Sequence, residues 1–277
     1  MTDLARRLGF DDDARVVIVN CDGLGLSQAT NTGVYESLRD GLATSATLMV
    51  PAPWSREAAS RYRGEDVGVH LTLNAEHDRY RWGPITQAPS LLDGDGGFPR
   101  TTADLWDHAD LDEARRELRA QLERAILWGF DVSHLDSHLG ALQLRPEFFD
   151  LYLDLAVDFA LPVRLWGPES ERAIGFPFRA LAAEEGVLFP DHFVAVPSVG
   201  GRRAVEKAVL ALEAGVTELH LHPAVDTPEQ RAIDADWSHR VDDHHLLCFD
   251  TELPVTLRRA GVELVGYRAL RDLQRAG

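Results

Sequence analysis

The stretch Ala14-Arg15-Val16-Val17-Ile18-Val19-Asn20-Cys21 runs directly into Asp22-Gly23-Leu24-Gly25. Consecutive β-branched residues stopped by a glycine-containing turn predict a strand buried on both faces, the kind that parallel sheets contain. Working outward, a helix is expected over Asn31–Asp40, closed by Gly41, then a strand over Ser45–Val50, a helix over Trp54–Tyr62 and a third strand over Asp66–Leu73. The polar, glycine-rich run from Asn74 to Thr102, with Asp93-Gly94-Asp95-Gly96-Gly97 inside it, is too long for a simple connection. It predicts an excursion or functional loop reaching to about residue 110. Leu111–Trp128 has strong amphipathic periodicity and predicts a helix. Beyond it the pattern predicts strands over Ser133–Ser137, Pro162–Leu165, near His192–Val196, over Thr217–Leu221 and over Val262–Val265. Helices are expected between them at Glu147–Phe159, near Phe178–Glu185, at Ala204–Ala214 and over most of Val241–Ala260.

About seven or eight strands alternating with helices demand a parallel sheet with helical crossovers. A closed barrel and a doubly wound sheet both satisfy that pattern. No GxGxxG follows the first strand, and Gly23-Leu24-Gly25 is too short to cradle a pyrophosphate, which weakens the dinucleotide-binding alternative. With 277 residues, no internal repeat and no linker, one domain over 1–277 is the economical expectation. The expected fold class is α/β, an irregular TIM-like (β/α) barrel of parallel strands.

Acidic residues outnumber basic ones by 45 to 28, for a net charge of −17. Such a surface repels phosphate backbones, and the arginines are scattered, so nucleic acid is excluded as the expected partner. A neutral or cationic substrate, or a bound metal cation, suits the charge; so does mere solubility. No apolar stretch of about 18 residues predicts a transmembrane helix, and the first residues lack the apolar segment of a signal peptide. Cys21 and Cys248 make no disulfide framework, and a cytoplasmic location is expected.

Active sites of parallel α/β folds lie at the carboxyl ends of the strands. Asp22 stands there after the first strand, His70 on the third, Asp136 and His138 on the fourth, Arg164 near the fifth, and His220 and His222 on a late strand. Imidazoles and carboxylates converging from several strands are how a metal-hydrolase site is assembled. Taken singly, each has a plainer role. Asp22 can cap the following helix, Asp136 can hold a backbone turn, and one of His220 and His222 can be structural.

The motifs resemble the YdjC/ChbG family of carbohydrate deacetylases over nearly the whole chain. Asn20-Cys21-Asp22-Gly23-Leu24-Gly25 is similar to the family's NADDFG motif, and Gly68-Val69-His70-Leu71-Thr72-Leu73 to its GxHLTL motif. Gln121 and His134-Leu135-Asp136-Ser137-His138 resemble the helix glutamine and the H-x-D-S-H motif. Glu218-Leu219-His220-Leu221-His222-Pro223 resembles E-L-x-x-H-P, and Arg240 with Asp243 loosely resembles an R-x-x-E pair. The resemblance implies hydrolysis of an N-acetyl group from amino sugars or oligosaccharides with a divalent metal, Mg or Zn. It implies Asp22 as general base, His70 and His138 as metal ligands, and His222 as general acid or orienter. Asp136, Arg164 and Trp82 are expected at the substrate: Arg164 to orient Asp22 or form an ion pair, Trp82 to stack on a sugar or anchor its loop. A small carbohydrate is the expected partner, no membrane is, and a homodimer is compatible with the family.

Two departures stand out. The second Asp of the first motif, a carboxylate ligand in the family, is Gly23 here, and the histidine that often follows the H-x-D-S-H motif is Gly140. Losing a ligand weakens metal affinity, so two further readings stay open: a catalytically degenerate member that binds a carbohydrate or other ligand, and another metal-dependent hydrolase such as a phosphoesterase. Against the last stand the acidic charge and the absence of an evident phosphate-binding loop.

Overall fold

The computed structural model describes residues 3–195 and 201–277. Seven parallel strands form one sheet: β1 (Arg15–Leu24), β2 (Ser45–Leu48), β3 (Val67–Leu71), β4 (Val132–Ser137), β5 (His192–Ala195), β6 (Gly215–Leu221) and β7 (Val262–Leu264), in the order β4-β3-β2-β1-β6-β5. β7 pairs with the start of β1, from Arg15 to Val17, while β2 pairs with its far half from Asn20 onward. The sheet is a half-barrel, an incomplete form of the irregular TIM-like barrel expected from sequence.

The reason lies beyond β4. The expected strand over Pro162–Leu165 amounts to one isolated bridge, Leu135 to Val163. The Val163 N–H donates onward to the Leu188 carbonyl at 2.9 Å. This segment follows the curve of the sheet with single hydrogen bonds instead of a ladder. The buried Tyr152 hydroxyl supplements it, donating to the carbonyls of Leu135 at 2.8 Å and Arg164 at 3.1 Å. The predicted strand near His192–Val196 is β5, with Val196 outside the described residues. The long helix expected over Val241–Ala260 is two, Trp237–Cys248 and Leu253–Arg259, separated at Asp250, whose side chain accepts from the backbone of Glu252 and Leu253. Among the described residues no helix is long and apolar enough to cross a membrane.

Successive strand residues face opposite sides of a sheet, and that period of two explains how the site is supplied. On β1, Val17, Val19 and Cys21 point into the large apolar core shared with the helices. Val16 and Ile18 point the other way, into a small cluster with Leu4, Val216, Tyr267 and Leu270. Continuing that second face gives Asn20 and Asp22 on β1, and Glu218 and His220 on β6 after Val216. The register sets Ile18 against Glu218 and Asn20 against His220. The inner face is therefore apolar at its amino end, plugged by Tyr267, and polar toward the carboxyl ends of the strands.

The excursion after β3 is ordered by polar side chains of its own and of the helix Leu111–Leu127 that follows it. Asn74 donates to the carbonyls of Pro99 and Thr101, Glu117 accepts from the backbone of Ile85 and Thr86, and Gln121 clamps both backbone polar groups of Thr72 at 2.8–2.9 Å. The loop thereby holds residues 74–77 against the sheet's rim.

Because Tyr152 supplements the single bridge between β4 and the Pro162–Leu165 segment, Tyr152→Phe leaves two buried carbonyls with one donor fewer. A loss of about 1–2 kcal/mol in urea denaturation is expected; an unchanged midpoint would show that the hydroxyl does not support the gap.

Candidate active site

A cavity of about 330 Å³ opens at the carboxyl ends of the strands, lined among others by Asp22, Gly23, His70, Glu76, Asp136 and His138. Beneath it lies a buried guanidinium. Arg164 Nη1 donates to Asp22 Oδ2 and Asp136 Oδ2, both at 2.6 Å, Nη2 donates to Asp22 Oδ1 at 2.8 Å, and Nε donates to Glu218 Oε1 at 2.8 Å. Arg164 is 3% exposed, Asp22 3%, and Asp136 and Glu218 are fully buried. Burial alone would raise the Asp22 carboxyl, but the charge and hydrogen bonds of Arg164 outweigh it and hold Asp22 well below the usual carboxylate range. Asp136 is lowered by the same balance. Glu218 goes the other way: its burial dominates and raises it, and Tyr267 donates to its second oxygen. Asn20 Nδ2 and Thr47 Oγ1 complete the shell of Asp22 at 2.7 and 3.0 Å. The expected pairing of Arg164 with Asp22 is thus present, and it is a buried ion pair rather than a surface one.

Above the guanidinium two imidazoles meet. His70 Nε2 lies 3.0 Å from His138 Nδ1. The far nitrogen of each is engaged by a carboxylate: His70 Nδ1 by Asp136, and His138 Nε2 by Glu76 Oε2 at 2.9 Å. Burial opposes a charged His70, but Asp136 beside it raises its pKa overall. Donation to a carboxylate fixes the proton on the far nitrogen of a neutral imidazole and leaves the lone pair on the near one. Two lone pairs facing each other at 3.0 Å require a positive charge between them, a proton or a metal ion. The donor set and the carboxylate backing are those of metal-binding histidines, so the residues present fit a divalent cation. Asp22 groups closely with His70 and Asp136, a set of possible donors that does not extend to His138 among the described residues.

Gly23 offers no side chain, and its φ of +89° is a conformation that side-chain-bearing residues rarely adopt. A Cβ there would meet only Arg240 Nη1, at 3.6 Å. The Arg240 guanidinium, whose Nη1 has no hydrogen-bond partner among the described residues, borders the space of the family's carboxylate. Gly140 is different. A Cβ on it would lie 2.8 Å from Trp166 Cζ2, so the indole occupies the ground of the histidine expected there.

His220 and His222 stand on the β6 side of the cavity, their rings 5.0 Å apart, with His222 Nε2 3.9 Å from Asp22 Oδ2. The His222 ring is at the rim, with 40% of its side chain exposed, and its backbone N–H donates to Asp243 at 2.8 Å. Trp82 is not among the cavity-lining residues. It is buried behind His138, 6.5 Å between ring centroids, and its indole N–H donates to Asn74 O at 2.9 Å. It anchors the loop, and the aromatic walls of the cavity are Trp166 and Phe193 instead.

Glu76 escaped the sequence reading, since it sits in an irregular loop without periodicity. Glu218 carried a usable signal: a carboxylate in the middle of an apolar strand needs a buried partner.

The YdjC-like protein family matches residues 16–256. Curated relatives named carbohydrate deacetylase include one from Thermus thermophilus, 38% identical over 252 residues that cover 88% of this chain and 90% of the relative. Another, from Geobacillus stearothermophilus, is 30% identical over 268 residues, 94% and 99% of the two chains. A solved structure from Enterococcus faecalis V583, described as a candidate cellobiose-phosphate cleavage protein, superposes with a TM-score of 0.82 at 23% identity, covering 93% of this chain and 99% of that one; it supports the fold alone.

Removing the guanidinium strands three buried carboxylates, so Arg164→Met should cost about 3–5 kcal/mol at neutral pH in urea denaturation. The pH dependence has a defined sign. In the native protein the depressed pKa values of Asp22 and Asp136 give stability that is present above the unfolded carboxylate value and lost as pH falls through the folded one. Without Arg164 the largest lowering influence is gone and burial, the largest raising one, pushes those pKa values up, so the variant gains relative stability on acidification and the gap narrows from pH 7.5 to 5.5. A gap below about 1 kcal/mol, or one that widens in acid, contradicts this role.

Proposed function

The chain belongs to the YdjC-like family, and on that premise we propose that it is a divalent-metal-dependent hydrolase removing N-acetyl groups from amino sugars or their oligosaccharides. The observation that carries the reading is the pair of carboxylate-backed imidazoles, His70 and His138, facing each other at 3.0 Å beside Asp22. The names of the relatives supply the substrate class.

His70 and His138 would hold the cation, with water covering for the carboxylate that Gly23 cannot provide and Asp22 left free as base; imidazole donors favour zinc over magnesium. When bound, the metal supplies polarisation of the amide carbonyl. Asp136 and Glu76 keep the two imidazoles in the ligating tautomer. Asp22 lies ionised at the cavity floor and accepts the proton of the attacking water. Arg164 keeps Asp22 a weak base, so the proton is readily released to His222, whose Nε2 is 3.9 Å from Asp22 Oδ2. His222, partly exposed at the rim, delivers it to the leaving amine. Trp166 and Phe193 form the apolar wall against which the sugar lies.

Acetate release from N-acetylglucosamine oligomers, with zinc, magnesium, manganese or cobalt added, tests the proposal. The native protein should release acetate, a chelator should abolish it, and His138→Ala should lower the rate by about 100-fold or more. Activity that survives both would sink the metal-dependent reading. If Gly23→Asp alone is active, the chain is instead a degenerate member, the reading that the missing carboxylate favours. The same variant carries the backbone strain of φ +89°, so its melting temperature should fall below that of the native protein.

A further inference from the structure

His220 has no evident duty in the proposed reaction, yet it is placed as a ligand. It lines the cavity, its Nδ1 is shielded from solvent, and that atom has no hydrogen-bond partner. A buried imidazole nitrogen left unpartnered is costly, so its presence on a cavity-lining residue points to something that fills it. Next to it, the His222 ring has no hydrogen-bond partner in the described residues, only a 3.9 Å approach to Asp22 Oδ2. Asp22, His220 and His222 each offer one donor atom, and the three atoms lie within 4.8 Å of one another.

We propose that Asp22, His220 and His222 form a second cation site, on the β6 side of the cavity, with Asp22 shared between it and the His70–His138 pair. Two imidazoles and one carboxylate are a complete three-ligand set for zinc, with a fourth position left to water or substrate. The His70–His138 pair has, by contrast, lost its carboxylate at Gly23. Arg164 and the unpartnered Nη1 of Arg240 oppose a cation here; the carboxylates of Asp22, Asp136, Asp234 and Asp243 offset them. Two cations flanking one carboxylate are an arrangement that hydrolases use to hold both the attacking and the leaving group. The site stands on its own geometry and does not require the deacetylase reading; a cation on it would take Asp22 and His222 as ligands, so the proton path through these two residues operates only while this second site is empty.

Zinc titration of the full chain, with elemental analysis after dialysis, tests it. The native protein should retain two equivalents of zinc. His220→Gln should retain one, with unchanged circular dichroism, and His138→Gln should lose the other one. Two equivalents in His220→Gln would overturn the second site. Two equivalents in His138→Gln with one in His220→Gln would support the second site while removing the first. If His220→Gln misfolds, the native protein still decides. Zinc should shield His220 and His222 from modification by diethyl pyrocarbonate, read by mass spectrometry, and equal labelling of both with and without zinc would overturn the proposal.

Discussion

Everything at the carboxyl end of this sheet depends on one buried guanidinium. Arg164 reaches Asp22 from β1, Asp136 from β4 and Glu218 from β6, so three separate strands are tied at a single point. Desolvating these groups is expensive, and the arrangement holds only because the planar fork satisfies several carboxylate oxygens at once. A lysine could not do so. The consequence for chemistry is direct: Asp22 is ionised, aimed into the cavity and unable to turn away. Asp136, gripped on one oxygen by Arg164, also engages His70, so the same ion pair orients an imidazole at one remove.

The inner face of the sheet supplies this cluster by alternation alone. Val16, Ile18, Asn20 and Asp22 share one side of β1; Val216, Glu218 and His220 share one side of β6. The apolar members close the amino end around Tyr267, and the polar members accumulate toward the carboxyl end. Plugging one end and leaving the other polar is what turns a curved sheet into a cavity with a floor.

Much of this was legible in the sequence, for a physical reason. Strands buried on both faces read as apolar runs, and charged or imidazole groups at their ends stand out against them, which is how Asp22, His70, Asp136, His138 and His222 could be named. Arg164 could be placed at the end of the fifth strand although that strand reduces to one bridge, but its burial and its three carboxylate partners become visible only in the fold. Closure of the barrel was not legible, since it depends on how far Val163 and Leu188 approach their neighbours in space. Glu76 was not legible either, because a loop has no period to break. Trp82 shows the limit of reading an aromatic in a polar loop: its indole N–H found a carbonyl inside the loop, and the ring went with it. The two glycines that depart from the family pattern separate once the backbone is known, Gly23 bordered by the Arg240 guanidinium and Gly140 yielding to Trp166.

The most direct test of the account is where a metal ion goes. A crystal soaked in zinc and measured at the zinc absorption edge should give an anomalous peak bonded to both His70 Nε2 and His138 Nδ1, at about 2.0–2.1 Å from each. An empty space between the two imidazoles at full zinc occupancy elsewhere would contradict it, and would leave the facing nitrogens bridged by a proton instead.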